Sequence, residues 1–90
     1  MIKSFRVKIT GKVQNVGFRY FAVKEAQNEG VRGFVRNEPD GSVYVEVEGE
    51  EEAVNRFLMS MNQGPSWGRV DRFTVTEQPV RNFKGFTVKY

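Results

Sequence analysis

Arg19 stands where a cation is out of place. It follows the glycine-bearing segment Gly11-Lys12-Val13-Gln14-Asn15-Val16-Gly17 and opens a run in which Phe18, Phe21, Ala22 and Ala26 recur at helical spacing. The first turn of a helix carries the positive end of its dipole, so an exposed cation there costs about 0.3–1 kcal/mol. An anion held between the guanidinium and the preceding loop would reverse that sign. A guanidinium grips phosphate oxygens in bidentate fashion, and a loop that turns its N–H groups toward a helix N-terminus binds the same anions. The alternative is an Arg whose stem lies over Phe18 or Phe21 with its head in water or against an acid elsewhere. The residue types leave both readings open. No Gly-Lys-Ser/Thr follows the loop, so a nucleotide triphosphate cradle is not implied.

Asn37 precedes the turn Glu38-Pro39-Asp40-Gly41. Asn is a common turn starter, and its amide is also suited to orienting a water. Nothing in the sequence settles whether it faces the Gly11–Gly17 loop. The chain has no Cys and no His. Thiolate nucleophiles, disulfides, phosphohistidine chemistry and most zinc or iron sites are therefore excluded. Carboxylates are the remaining metal ligands. Glu46 and Glu48 alternate outward on a strand and Glu50-Glu51-Glu52 suit a helix start, so they, with Glu38 and Asp40, are expected to be solvated surface or cap. The net charge of +3 suits an anionic ligand without requiring one.

The elements that must position these residues follow from changes of period. Phe5, Val7 and Ile9 alternate with Ser4, Arg6 and Lys8, predicting a strand over Ile2 to Thr10 with one buried face. The helix that opens near Phe18 stops at Asn28-Glu29-Gly30, with Gly30 suited to the left-handed position after it. Alternation resumes with Val31, Gly33 and Val35 opposite Arg32, Phe34 and Arg36. Across the Asp40-Gly41 turn, Val43, Val45 and Val47 alternate with Tyr44, Glu46 and Glu48, so these strands read as a hairpin. A second helix carries Val54, Phe57, Leu58 and Met61 on one stripe and ends at Asn62-Gln63-Gly64-Pro65. Strands with Val70, Phe73 and Val75, then Phe86, Val88 and Tyr90, complete the chain.

This order predicts one α+β domain over residues 1–90. Its form is a ferredoxin-like sandwich, β-α-β-β-α-β plus a short terminal strand, with an antiparallel sheet and both helices on one face. No apolar run approaches the ~20 residues of a membrane span, and the alternating N-terminus does not read as a signal peptide. A cytoplasmic monomer without a membrane partner is the default expectation.

Two stretches resemble signatures of the acylphosphatase family. Gly11-Lys12-Val13-Gln14-Asn15-Val16-Gly17-Phe18-Arg19 is similar to the family's Gly-x-Val-Gln-Gly-Val-x-Phe-Arg. The segment from Gly33 to Val43, with Gly49 six residues later, resembles its Gly-aromatic-Val-basic-Asn-x-x-x-Gly-x-Val. The resemblance covers essentially the whole chain. It implies hydrolysis of the carboxyl–phosphate bond of small acyl phosphates, releasing inorganic phosphate, without cofactor or metal. It implies that Arg19 and the backbone N–H groups of Gln14, Asn15, Val16, Gly17 and Phe18 bind the phosphate. It also implies that Asn37 positions the attacking water. The departure is Asn15, where the family has a second Gly. If that position takes a positive φ, Asn is the least costly replacement.

Such chemistry is compatible with the residue inventory. Phosphoryl transfer needs positioning and charge neutralisation, and a carboxylate leaves without protonation. The rival expectation is an RNA-binding module of the same topology, which stacks bases on sheet aromatics. Arg32-Gly33-Phe34-Val35 echoes part of that signature, with Phe34 and Tyr44 on the open face. The pattern breaks at Arg36-Asn37, and the first strand offers Arg6 and Lys8 there instead of aromatics. An interaction module of the same family is a third possibility.

Overall fold

The computed structural model describes all of residues 1–90. Its elements are β1 (Ile2–Lys12), α1 (Phe18–Glu29), β2 (Arg32–Asn37), β3 (Val43–Glu50), α2 (Glu51–Gln63), β4 (Arg69–Gln78) and β5 (Phe86–Lys89). They form a five-stranded sheet in the order β4-β1-β3-β2-β5. The register sets one valine from each strand in a single row: Val75, Val7, Val45, Val35 and Val88. β-branched side chains suit such a pleated surface.

Both helices cover this row. α1 buries Phe18, Ala22 and Ala26, spaced four apart so that they stack on one side. α2 buries Ala53, Val54, Phe57 and Met61. Gly30 ends α1 in the left-handed region, φ 70°, with its N–H bonded to the Ala26 carbonyl. The helix stripes and the inward strand positions merge into one core, to which Ile9, Val13, Val43 and Val47 also belong.

The sheet is not wholly antiparallel. β2 pairs with β5 in parallel, from Gly33↔Phe86 to Arg36↔Lys89. The reason lies in the route between β4 and β5, which occupy opposite edges. A tight turn cannot join them, so residues 79–85 cross the face that the helices leave open.

This crossing corrects the expectation that Glu46 and Glu48 are solvated. Glu48 is fully buried and Glu46 nearly so. One Glu48 oxygen accepts the Arg81 N–H at 2.6 Å and the other the Phe83 N–H at 3.1 Å. Gln78 donates to Glu46 at 2.7 Å and to the Ser4 hydroxyl at 3.1 Å. Alternation along β3 reports only which way a side chain points, not what later covers it.

β1 and β2 end at the same edge of the sheet. β1 and β2 flank β3 and are both antiparallel to it, so their C-terminal ends emerge together. The start of α1, the 38–42 turn, the end of α2 and Tyr90 gather at the same edge.

Candidate active site

The 13–17 loop begins in the core, with Val13 buried, and ends at an unusual helix start. Gly17 takes the N-cap position at φ 78°, in the left-handed region, and provides no side-chain cap. The amides of Phe18, Arg19 and Tyr20 precede the first intrahelical bond, from Phe21 N–H to the Gly17 carbonyl at 2.9 Å. No acidic residue lies in the first turn. Asn15 also lies in the left-handed region, φ 61°. The substitution for Gly therefore falls on a position where Asn is the side chain best tolerated, because its short amide can bond locally.

Gln14 locks the loop in place. Its Nε2 donates to the carbonyls of Glu38, at 2.8 Å, and Ser42, at 2.9 Å. These carbonyls belong to the turn that follows Asn37. One side chain thus ties the loop after β1 to the turn after β2. With its amide engaged in this way, Gln14 acts on the site as a brace. The turn is further set by Asp40, which accepts from Ser42 N–H at 2.9 Å and Ser42 hydroxyl at 2.6 Å, and receives Lys8 Nζ at 2.9 Å. The Ser42 hydroxyl, then Lys8, then the Ser42 amide hold the Asp40 carboxyl well below its usual range.

Arg19 and Asn37, eighteen residues apart, line one cleft of about 430 Å3. Asn15, Gly17 and Phe18 line it too, whereas the Val16 side chain faces a neighbouring cleft. Both Arg19 and Asn37 are half-buried. Arg19 takes part in none of the eight ion pairs, which answers one alternative raised by the sequence. Its guanidinium carbon lies 5.1 Å from the centre of the Tyr90 ring. A cation over an aromatic face is steadied without being neutralised, so its charge remains available to a ligand.

The arrangement is a cationic, donor-rich mouth: a planar guanidinium, three helix-start amides and a neutral carboxamide. It suits a tetrahedral anion with a water beside it. A family model for acylphosphatase matches residues 5–88. The chain belongs to the acylphosphatase family. An acylphosphatase of Thermotoga maritima is 40% identical over 89 residues, 99% of both chains. That of Archaeoglobus fulgidus is 37% identical over 87 residues, 97% of this chain and 98% of its own. The crystal structure of an acylphosphatase from Bacillus subtilis superposes with a TM-score of 0.95 at 34% identity, covering 100% of both chains.

The sequence pattern missed several residues of the cleft. Tyr20, Val23, Val88 and Tyr90 line it beside the acylphosphatase motifs. Tyr90 had a signal: it shares the parity of Phe86 and Val88, and so the helix side of β5. Only the parallel pairing of β5 with β2 brings it to the start of α1. The sheet aromatics of the RNA-binding alternative are differently engaged. Phe34 is buried, its ring centre 5.9 Å from that of Phe83, and the Tyr44 hydroxyl donates to Glu46 at 2.8 Å.

Proposed function

We propose that the chain hydrolyses small acyl phosphates to carboxylate and inorganic phosphate, with Arg19 as the phosphate clamp and Asn37 as the water-positioning residue. The observation that carries this reading is the shared cleft: Arg19, unpaired with any acid, and Asn37 line it together at an uncapped helix start. The substrate phosphoryl group lies against the guanidinium and the amides at the start of α1. The Asn37 carboxamide offers one acceptor and two donors to a water on the side opposite the leaving group. The water oxygen bonds to phosphorus as the bond to the acyl oxygen breaks. The carboxylate departs with the electron pair, and a phosphoryl oxygen of the substrate takes the water's proton.

Asn37 is too weak a base for that proton, and no His or Cys exists to take it. Stabilisation therefore comes from charges and dipoles already aligned at the developing negative charge. Neither Arg19 nor Asn37 needs a metal for this role. No three acidic side chains gather where a divalent ion could be held. No helix is long and apolar enough to cross a membrane. A cytoplasmic monomer acting on diffusible substrates fits this reading. The direct test is release of phosphate from benzoyl phosphate in the presence of EDTA, with added inorganic phosphate as a competitive inhibitor. Turnover that EDTA abolishes and magnesium restores would overturn the metal-free mechanism.

A further inference from the structure

Asn37 is the last residue of β2 and leads directly into the 38–42 turn, so the placement of its carboxamide depends on how that turn is held. Strand parity sets Asn37 on the core side of the sheet, with Val35 and its cross-strand partner Val43, both fully buried. Gln14 braces the turn from the loop before α1. The chain neighbours of Asn37 reach the other way. Arg36 lies on the open face, and its Nε donates to the Glu38 carboxylate at 3.2 Å, so the two residues that flank Asn37 are joined to each other.

The open face carries a row one residue nearer the edge than the valines: Thr74, Lys8, Tyr44, Arg36 and Lys89. Lys8 and Arg36 stand on either side of Tyr44, and the Arg36 guanidinium lies over the Tyr44 ring, 4.7 Å from its centre. Each of these two cations holds one acid of the turn. Arg36 takes Glu38, and Lys8 takes Asp40 at 2.9 Å. Neither cation pairs with any other acid, and neither acid with any other cation. Asp40 raises Lys8 above its ordinary 10.5, first by accepting its hydrogen bond and then by its charge, so that pair is ionised throughout the neutral range.

We propose that Lys8 and Arg36 are positioning residues of the reaction: from the face opposite the core they fix the 38–42 turn, and through it the carboxamide of Asn37. The proposal rests on the reading of Asn37 as the residue that orients the attacking water. Neither Lys8 nor Arg36 lines the Arg19–Asn37 cleft, so their effect runs through the backbone of the turn. A water held out of line for attack costs turnover. The phosphoryl group, held by Arg19 and the amides at the start of α1, keeps its contacts. Lys8 and Asp40 are exposed, and Arg36 and Glu38 are only half-buried, so the pairs contribute little to global stability.

The test is a double-mutant cycle on benzoyl phosphate, with turnover expressed per folded molecule. Lys8→Met and Arg36→Met should each lower kcat by roughly two- to fivefold, the range of exposed ion pairs, while inhibition by inorganic phosphate holds. Lys8→Arg should keep kcat near wild type, because an arginine also reaches Asp40. In an Asn37→Ala background neither Met substitution should cost anything further, since the group they position is gone. Unchanged kcat in both Met variants, or losses that add fully to that of Asn37→Ala, would overturn the proposal. Equal losses in kcat and in phosphate affinity would also overturn it, and would assign the two cations to the field that attracts the anion. Wild type that fails to hydrolyse benzoyl phosphate, or Asn37→Ala with wild-type turnover, would overturn the reading beneath it instead.

Discussion

Two segments of the molecule carry a left-handed Asn beside exposed backbone donors, and they differ in whether the chain itself supplies an anion. At the crossing segment, Asn82 adopts φ 61°, and the amides of Arg81, Asn82 and Phe83 converge on the carboxylate of Glu48. At the loop before α1, Asn15 also adopts φ 61°, the helix start is uncapped, and no carboxylate of the chain pairs with Arg19. Left-handed residues turn successive amides inward, and such concavities take anions. Where the fold needs an anion for itself, β3 carries a buried Glu. Where no such Glu is encoded, the donors remain available to a ligand. The first arrangement holds the open face of the sheet closed; the second forms the mouth of the cleft.

Substitutions at four positions would break or sharpen this contrast. Arg19→Ala is expected to have the largest effect. It should lower kcat/KM by at least on the order of 10²–10³ and weaken inhibition by phosphate. The unfolding midpoint should hold or rise slightly, because a cation leaves the positive end of a helix. Wild-type turnover in this variant would end the clamp assignment.

Asn37→Ala should cost turnover on a similar scale, on the order of 10²–10³, while phosphate affinity changes less. Parallel losses in kcat and in phosphate affinity would instead assign Asn37 to binding.

At the other segment, Glu48→Ala should cost roughly 2–3 kcal/mol in urea unfolding, because buried donors lose a charged acceptor. Turnover per folded molecule should survive. Burial raises the Glu48 carboxyl, yet the Arg81 amide, the Ser4 hydroxyl and the Phe83 and Asn82 amides outweigh it and hold the group below the ordinary 4.5. Its stabilisation is therefore complete above about pH 4.5 and is lost as pH falls through the lowered value. Glu48→Gln should flatten that part of the acid limb. An unchanged limb would show that Glu48 does not carry it.

Asn15→Ala is the smallest of the four. A non-glycine residue without a polar side chain at φ 61° should cost roughly 1 kcal/mol of stability. Phosphate inhibition should weaken by a few-fold as the loop relaxes, whereas Asn15→Gly should keep both properties near wild type. If Asn15→Gly loses activity instead, the Asn15 side chain itself takes part in binding.

The legible parts of the fold were those where a local period maps onto a local shape. Alternation marked Phe5, Val7 and Ile9 as inward, and four-residue spacing marked Phe18, Ala22 and Ala26 as the buried stripe of α1. Gly30 was readable as a helix end because few other residues take φ 70°. The parallel β2–β5 pair was not legible. Strand pairing between distant segments depends on the route of residues 79–85, and no period in β5 encodes its neighbour. The same long-range route buries Glu48 and brings Tyr90 to the start of α1.

The site divides along the same line. The sequence by itself identified Arg19 as a cation at the unfavourable end of a helix, barred His and Cys chemistry, and carried two motifs of the acylphosphatase family. These are properties of residue type and spacing, which need no neighbours. That Asn37 shares a cleft with Arg19, that Gln14 braces one loop against the other, and that Tyr90 stacks on the guanidinium were decided by tertiary structure. Each depends on β1 and β2 ending at one edge of the sheet with β5 beside them, and only the packed sheet brings those ends together.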